Sequence, residues 1–380
     1  MPPAQPVGRA DPVHHASHRR LLHAPAASTG RAGVDAIVVP TARPSHYLKH
    51  ASGLARELGC PLVALCSGKW TNAEEVISGA DPGAEIIAID FPGEDALRLP
   101  RFTTSTVPPA RLRRTTDTAA KRNLALALAR MLRWTRIVFL DDDIEVGSPD
   151  DLRDAAGLLD HYDAVGLSIG GFPDNSVVCH AYRLCGGQQE SFVGGGALAV
   201  ETSRTTAFFP DIYNEDWFYL LEERGLRRLA VTGEVWQAPY DPFRTPDRAR
   251  AEELGDVLAE GVFWLLDEGK CVSDADDPQH WEMFLSKRRA FIEHVLELLP
   301  RAEVEPAERR RMAEALKAAR GRLALIEPDL CVSYLKAWRA DQKRWRAFVH
   351  RLPYKTSMGD ALRWLTRPSH LPVEFIEYCR

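Results

Sequence analysis

The chain has 380 residues, 45% of them hydrophobic, which suits two or three domains, or one large α/β domain with an appendage, around a substantial core. The 48 Lys and Arg against 53 Asp and Glu give a net charge of -5, without the global basic bias that favours nucleic acid. Its 7 cysteines show no Cys-x-x-Cys spacing, and no apolar run approaches the roughly 20 residues that cross a bilayer, so a soluble, cytoplasmic protein with free thiols is expected.

Residues 1–32 are rich in Ala, Pro, Arg and His and predict a disordered tail. Order begins near Val34. Ala36-Ile37-Val38-Val39 is a β-branched run stopped by Pro40 and reads as a buried strand. A helical pattern over 47–58 closes at Gly59, and strands follow at 61–65 and 86–89. Strand, helix and strand in alternation argue a parallel sheet. Residues 91–115 contain Pro92, Pro100, Pro108 and Pro109 and read as a long loop, a candidate lid over a ligand. The next helix, capped by Thr116 or Asp117, carries Leu124, Leu128 and Met131 as its apolar stripe. Strands are expected at 136–140, 164–169 and 197–200. Pro239 to Arg244 forms an extended connector carrying Asp241 and Arg244. Beyond residue 250 the pattern turns helical, with amphipathic stretches at 257–266, 284–299, 309–325 and 330–352. The expected division is a tail at 1–32, a catalytic domain at 33–250 and a helical domain at 251–380.

Four local patterns carry chemistry. Asp141-Asp142-Asp143 follows a hydrophobic strand, where open α/β sheets bind ligands. Carboxylates at i and i+2 can aim at one point and offer hard oxygens suited to Mg²⁺ or Mn²⁺ on a diphosphate. The competing reading is a solvated acidic turn, which would leave three acids against a buried strand. Glu215-Asp216 sits among Tyr213, Trp217 and Phe218. A carboxyl beside apolar rings has a raised pKa and can serve as a base on an acceptor hydroxyl. Equally, Asn214 can cap a helix whose first turn favours those acids. Gly194-Gly195-Gly196 lets backbone N–H groups approach a ligand, or makes a tight turn. Lys121-Arg122 opens a helix where phosphates can bind, although Lys121 is also spaced to pair with Asp117.

Together these features resemble the nucleotide-sugar glycosyltransferases of the GT-A fold, particularly family-two-like members. Val39-Pro40-Thr41-Ala42-Arg43-Pro44 looks like the nucleoside-cradling end of that family's first strand. Lys121-Arg122-Asn123-Leu124 looks like its basic helix start, and Asp141-Asp142-Asp143 like its Asp-x-Asp metal motif. Gly194-Gly195-Gly196 with Glu215-Asp216 looks like its acceptor loop and Glu-Asp pair. The resemblance spans residues 34–240. It implies a Rossmann-like, mostly parallel sheet flanked by helices, with a helical C-terminal addition. It further implies a metal-dependent hexosyltransferase that inverts, with Asp216 as base beside Glu215 and Mn²⁺ or Mg²⁺ held by Asp141 and Asp143. Pro40, Thr41, Arg43, Lys121, Arg122, Asp141, Asp142, Gly194, Gly195 and Gly196 are then the donor-binding set. Many members use a downstream His as a further metal ligand, and the next here is His280. The implied partners are a nucleotide-sugar donor and a hydroxyl acceptor, a small molecule being favoured, and a homo-oligomer is left open. Two alternatives stand: a nucleotide-sugar-binding module without catalysis, and a sugar nucleotidyltransferase, whose Gly-rich turn after the first strand is missing at Pro40 to Pro44.

Overall fold

A computed structural model describes residues 21–22, 30–68, 70–172, 176–188 and 193–379. Most of the tail expected at 1–32 lies outside these residues, as do Pro173 to Asn175 and Phe192. Of the tail's described part, Arg31 pairs with Asp150 at 2.7 Å and Asp154 at 3.1 Å.

In chain order, the N-terminal half runs β1 (Ala36–Thr41), α1 (Lys49–Leu58), β2 (Leu62–Cys66), α2 (Ala73–Ser78), β3 (Ile86–Asp90), α3 (Thr118–Leu132), β4 (Arg136–Leu140), β5 (Ile144–Val146), α4 (Pro149–Leu158), β6 (Ala164–Gly171) and α5 (Val177–Leu184). It continues with β7 (Ala197–Glu201), α6 (Glu215–Leu220), β8 (Leu221–Glu222), β9 (Gly225–Leu226) and β10 (Leu229–Gln237). The C-terminal part is α7 (Pro246–Asp267), α8 (Pro278–Leu298), α9 (Pro306–Leu323), α10 (Pro328–Val349), α11 (Met358–Leu365) and β11 (Phe375–Tyr378).

Among the described residues, one 9-stranded sheet has the order β11-β3-β2-β1-β4-β7-β6-β10-β5. The neighbours β3-β2-β1-β4 are parallel, as are β6 and β10. β7 runs antiparallel between β4 and β6, and β5 and β11 are antiparallel edges. Alternate residues of each central strand point to opposite faces. Ile37, Val39, Leu62 and Ala64 pack with α1, α2 and α4 on one face. Ala36, Val38, Val63 and Leu65 join α3 and the C-terminal helices on the other. Burial on both faces explains why these strands read as unbroken apolar runs.

The C-terminal helices pack against the sheet. A single apolar cluster runs from β1 through α3 to Trp281, Trp338 and Trp345, and β11 returns to pair with β3. α7 begins at Pro246, before the expected boundary, and its buried side carries Glu252, Glu253, Asp256 and Glu260. Arg288 of α8 neutralises part of that charge, reaching Glu253 at 3.0 Å, Asp256 at 2.7 Å and Glu260 at 3.0 Å.

The loop at 91–115 is strapped onto the C-terminal helices. The N–H groups of Thr103 and Thr104 donate to the fully buried Asp341 of α10 at 3.0 and 2.8 Å. Phe102 stacks on Phe208 with centroids 4.4 Å apart, and the Arg98 N–H donates to the Leu365 carbonyl at 2.7 Å. Among the described residues, no helix is long and apolar enough to cross a membrane.

Candidate functional site

The C-terminal ends of β1, β4 and β10 meet the turn before β7 and the start of α6 around a polar cleft of about 380 Å³. Pro40, Arg43, Asp141, Asp142, Asp143, Gly196, Glu215 and Asp216 line it, together with Arg114, Arg122, Tyr213, Asn214, Gln237, Tyr240 and Arg248. Backbone pairing fixes the acidic turn. The Asp141 N–H donates to the Gly196 carbonyl at 2.9 Å, and the Asp143 carbonyl accepts from the Ala238 N–H at 2.9 Å.

Each carboxylate has its own support. Arg122, 3% exposed, reaches Asp141 Oδ1 at 3.0 Å and Glu215 Oε1 at 2.9 Å. Arg114 takes the other Glu215 oxygen at 2.7 Å. Thr41 Oγ1 donates to Asp142 Oδ2 at 2.7 Å, and Arg43 spans Asp142 at 3.2 Å and Asp143 at 2.8 Å. Asp216 accepts from the Gly195 N–H at 2.6 Å and the Trp217 N–H at 2.9 Å.

Burial raises the carboxyls of Asp141 and Asp142, against the pull of Arg122 on the first and of Thr41 and Arg43 on the second. Burial and then the adjacent Glu215 push Asp216 up to about 6. Burial opposes ionisation of Glu215 too, but Arg114 and Arg122 outweigh it and hold that carboxyl below its ordinary range. The neighbouring acids are thus driven apart, one kept charged and one poised to exchange a proton near neutrality.

The glycine turn serves close approach. A Cβ on Gly195 would stand 2.5 Å from Arg122 Nη1, and one on Gly196 would stand 3.3 Å from Asp141 Oδ2. Gly194 is buried and does not line the cleft.

Other expected residues lie elsewhere. Lys121 is 1% exposed and sits beneath the floor. Its ammonium donates to the Thr41 carbonyl at 2.8 Å and Ser67 Oγ at 2.6 Å, and pairs with Asp117 at 3.1 Å. It ties β1 to the turn after β2. Thr41 is likewise buried and acts through Asp142. His280 is 5% exposed in α8, its Nε2 held 3.0 Å from the Gly261 carbonyl and its ring beside Trp264 and Trp281. It packs helices and does not line the cleft. Asn214 precedes α6 but does not cap it. Held at a φ of 64°, it sends its side-chain N–H to Asp256 at 3.0 Å.

Sequence reasoning missed Arg248, Tyr240 and Gln237. Arg248 pairs with Glu252 at 2.6 Å and lies 4.4 Å from the Tyr240 ring centroid. The only hint was the proline-held connector after β10, which marks chain returning past the strand ends.

No protein-family model matches the chain, and no curated protein matches it. Among solved structures it is similar to a mannosyltransferase from Pyrobaculum calidifontis in complex with GDP-Man and Mn²⁺, at 15% identity. The match covers 86% of this chain and 92% of that one, with a TM-score of 0.39. A likeness of that degree assigns neither donor, metal nor acceptor to this chain.

Proposed function

We propose that this chain is a metal-dependent glycosyltransferase of the GT-A fold. It moves a sugar from a nucleotide-sugar donor to a hydroxyl acceptor with inversion. One observation carries the reading: Asp216, a raised carboxyl fixed by two backbone N–H groups, opens onto the same cleft as Asp141 and Asp143.

Asp141 and Asp143 supply hard oxygens of the kind Mn²⁺ and Mg²⁺ prefer, and they would hold the ion. Among the described residues, no group of three metal-binding side chains stands ready. The remaining ligands would therefore be diphosphate oxygens and water, as is usual for Mg²⁺. Once bound, the ion supplies positive charge to the leaving diphosphate.

The protein's own groups do the rest. Arg114, Arg122 and Glu215 lock the start of α6 and so aim Asp216. Asp216 takes the proton of the acceptor hydroxyl as its oxygen bonds to the anomeric carbon. The bond from that carbon to the diphosphate breaks on the opposite side, and the nucleoside diphosphate leaves with the electron pair. Arg43 and Pro40 line the cleft and, on this reading, would contact the nucleotide.

The test is mass detection of product and of free nucleoside diphosphate across a panel of nucleotide sugars, with Mn²⁺ and with chelator. Transfer that needs metal supports the reading. Donor binding without turnover would leave only a binding module, and release of inorganic diphosphate from a sugar phosphate and a nucleoside triphosphate would indicate a nucleotidyltransferase.

A further inference from the structure

A second cavity, of about 510 Å³, lies beside the polar cleft and shares Tyr240 with it. Its size falls in the range of small-molecule sites, roughly 300–1,000 Å³. β6 and β10 end side by side there. Gly171, at a φ of 75°, lets the strands close up, since a Cβ would stand 2.8 Å from the Gln237 carbonyl oxygen. The next residue, Phe172, is then turned into the cavity wall.

The wall is aromatic. The Phe172 ring meets the Tyr240 ring edge-on at 4.8 Å and lies 5.1 Å from the His180 ring. His180 Nε2 is 2.8 Å from the Tyr240 hydroxyl. Burial, with Arg248 and Arg183 nearby, pushes His180 down to about 3, so the imidazole is neutral at physiological pH and the platform carries no charge. Pro242, Phe243 and Leu184 continue the apolar surface.

The remaining lining is charged but balanced. Arg183, Arg311, Asp241 and Glu308 line the cavity, and Arg311 pairs with Asp241. A site built for phosphate or carboxylate would carry an excess of cations. A purely apolar ligand would strip water from four charged side chains and return no hydrogen bonds. A pyranose fits both halves, its C–H face against the rings and its hydroxyls toward the carboxylates and guanidiniums.

We propose that this cavity is the acceptor subsite and that the acceptor is a neutral saccharide, seated on Phe172 with its reactive hydroxyl directed past Tyr240 into the cleft. The acceptor role rests on the glycosyltransferase reading above. Saccharide binding itself does not.

The experiment uses the full-length protein without donor. Saturation-transfer NMR titrations would compare mannobiose, cellobiose and lactose with glucuronate, glucose 6-phosphate and 1-hexanol. At least one neutral disaccharide should bind more tightly than the anionic and aliphatic probes. Phe172→Ala should weaken it about five- to tenfold, the worth of one aromatic contact. Arg311→Ala, at the rim, gives a second variant that leaves the aromatic wall whole. It should weaken the same probe, while Mn²⁺-nucleotide binding in both variants stays within about twofold of wild type. Tighter binding of the anionic probes, binding unmoved in both variants, or absence of saccharide binding would each overturn the proposal. If saccharide binding depends on Phe172 but no nucleotide sugar is turned over, the saccharide site stands and the glycosyl-transfer reading fails.

Discussion

Arg122→Met is the most informative perturbation of the cleft. It removes a guanidinium that is 3% exposed and bridges Asp141 and Glu215 at 3.0 and 2.9 Å. Methionine keeps the length and apolar stem, so the loss is one of charge. Breaking a buried pair by removing one partner costs about 3–5 kcal/mol, because the other charge stays buried. Arg114 still holds Glu215 at 2.7 Å and the Asp141 side chain is 35% exposed, so the lower end of that range is expected. At roughly 2–4 °C per kcal/mol for a large domain, the melting temperature should fall by about 6–12 °C. The loss should also depend on pH. Burial already raises Asp141, and Arg122 is the strongest influence lowering it. Without Arg122 its folded-state pKa rises further above the unfolded value. A raised carboxyl leaves stability intact below the unfolded pKa and erodes it as pH climbs through the folded one. The melting difference from wild type, measured by calorimetry at pH 5 and pH 8, should therefore be larger at pH 8. Arg122→Lys restores the charge and should recover part of the loss. A difference independent of pH, or none at all, would refute the argument that charge compensation holds this cleft together.

Asp143→Ala should abolish metal-stimulated transfer with the fold intact by circular dichroism, and wild-type activity that survives chelator would remove the metal from the mechanism. Because no trio of protein ligands awaits the ion among the described residues, Mn²⁺ should bind weakly alone and more tightly with a nucleoside diphosphate, as titration calorimetry can measure. Asp216→Asn should keep donor affinity and lose about 10²–10⁴-fold in turnover. In the wild type, kcat/KM should fall as pH drops through about 6, where Asp216 takes up its proton; an unchanged acid limb in Asp216→Asn would reassign the group. Protease cleavage across 101–115 should be slow with or without donor, since Asp341 and Phe208 already pin that strap; strong protection on adding donor and metal would restore the lid.

The legible parts of the sequence were those where one physical demand dominates. β1 and β4 read as strands because burial on both faces leaves no polar position to break the run. The acidic turn after β4 stood out because carboxylates rarely press on a buried strand without a task. β10 was harder: its run Leu-Ala-Val-Thr-Gly-Glu-Val-Trp-Gln shifts register between Val231 and Glu234, so alternation fails midway. β11 is a four-residue edge strand without a buried face, and only its antiparallel pairing with β3 defines it. Lys121 and His280 lie away from the cleft lining for a common reason. A polar side chain in a promising motif reads as a ligand-binding group, yet each has its partners inside the fold. Periodicity cannot register a buried Lys or His whose hydrogen bonds come from distant backbone.

The same blindness hid why the C-terminal helices belong to the site. A face bearing Glu252, Glu253, Asp256 and Glu260 looks solvent-facing by pattern, yet it is buried and compensated from a neighbouring helix. Arg288 of α8 holds Asp256, and Asp256 accepts from Asn214, whose left-handed backbone turns the chain into Glu215 and Asp216. On the cleft side the next residue is gripped by Arg114 and Arg122. The short segment that carries Asp216 is therefore clamped between two arginine-carboxylate clusters, one in the cleft and one among the helices. A chain ending at Arg250 would lose the rear clamp along with the apolar cover of α3. It should aggregate through the exposed patch rather than survive as an active core. A soluble, active 1–250 fragment would show that the cleft cluster alone can hold Asp216 in place.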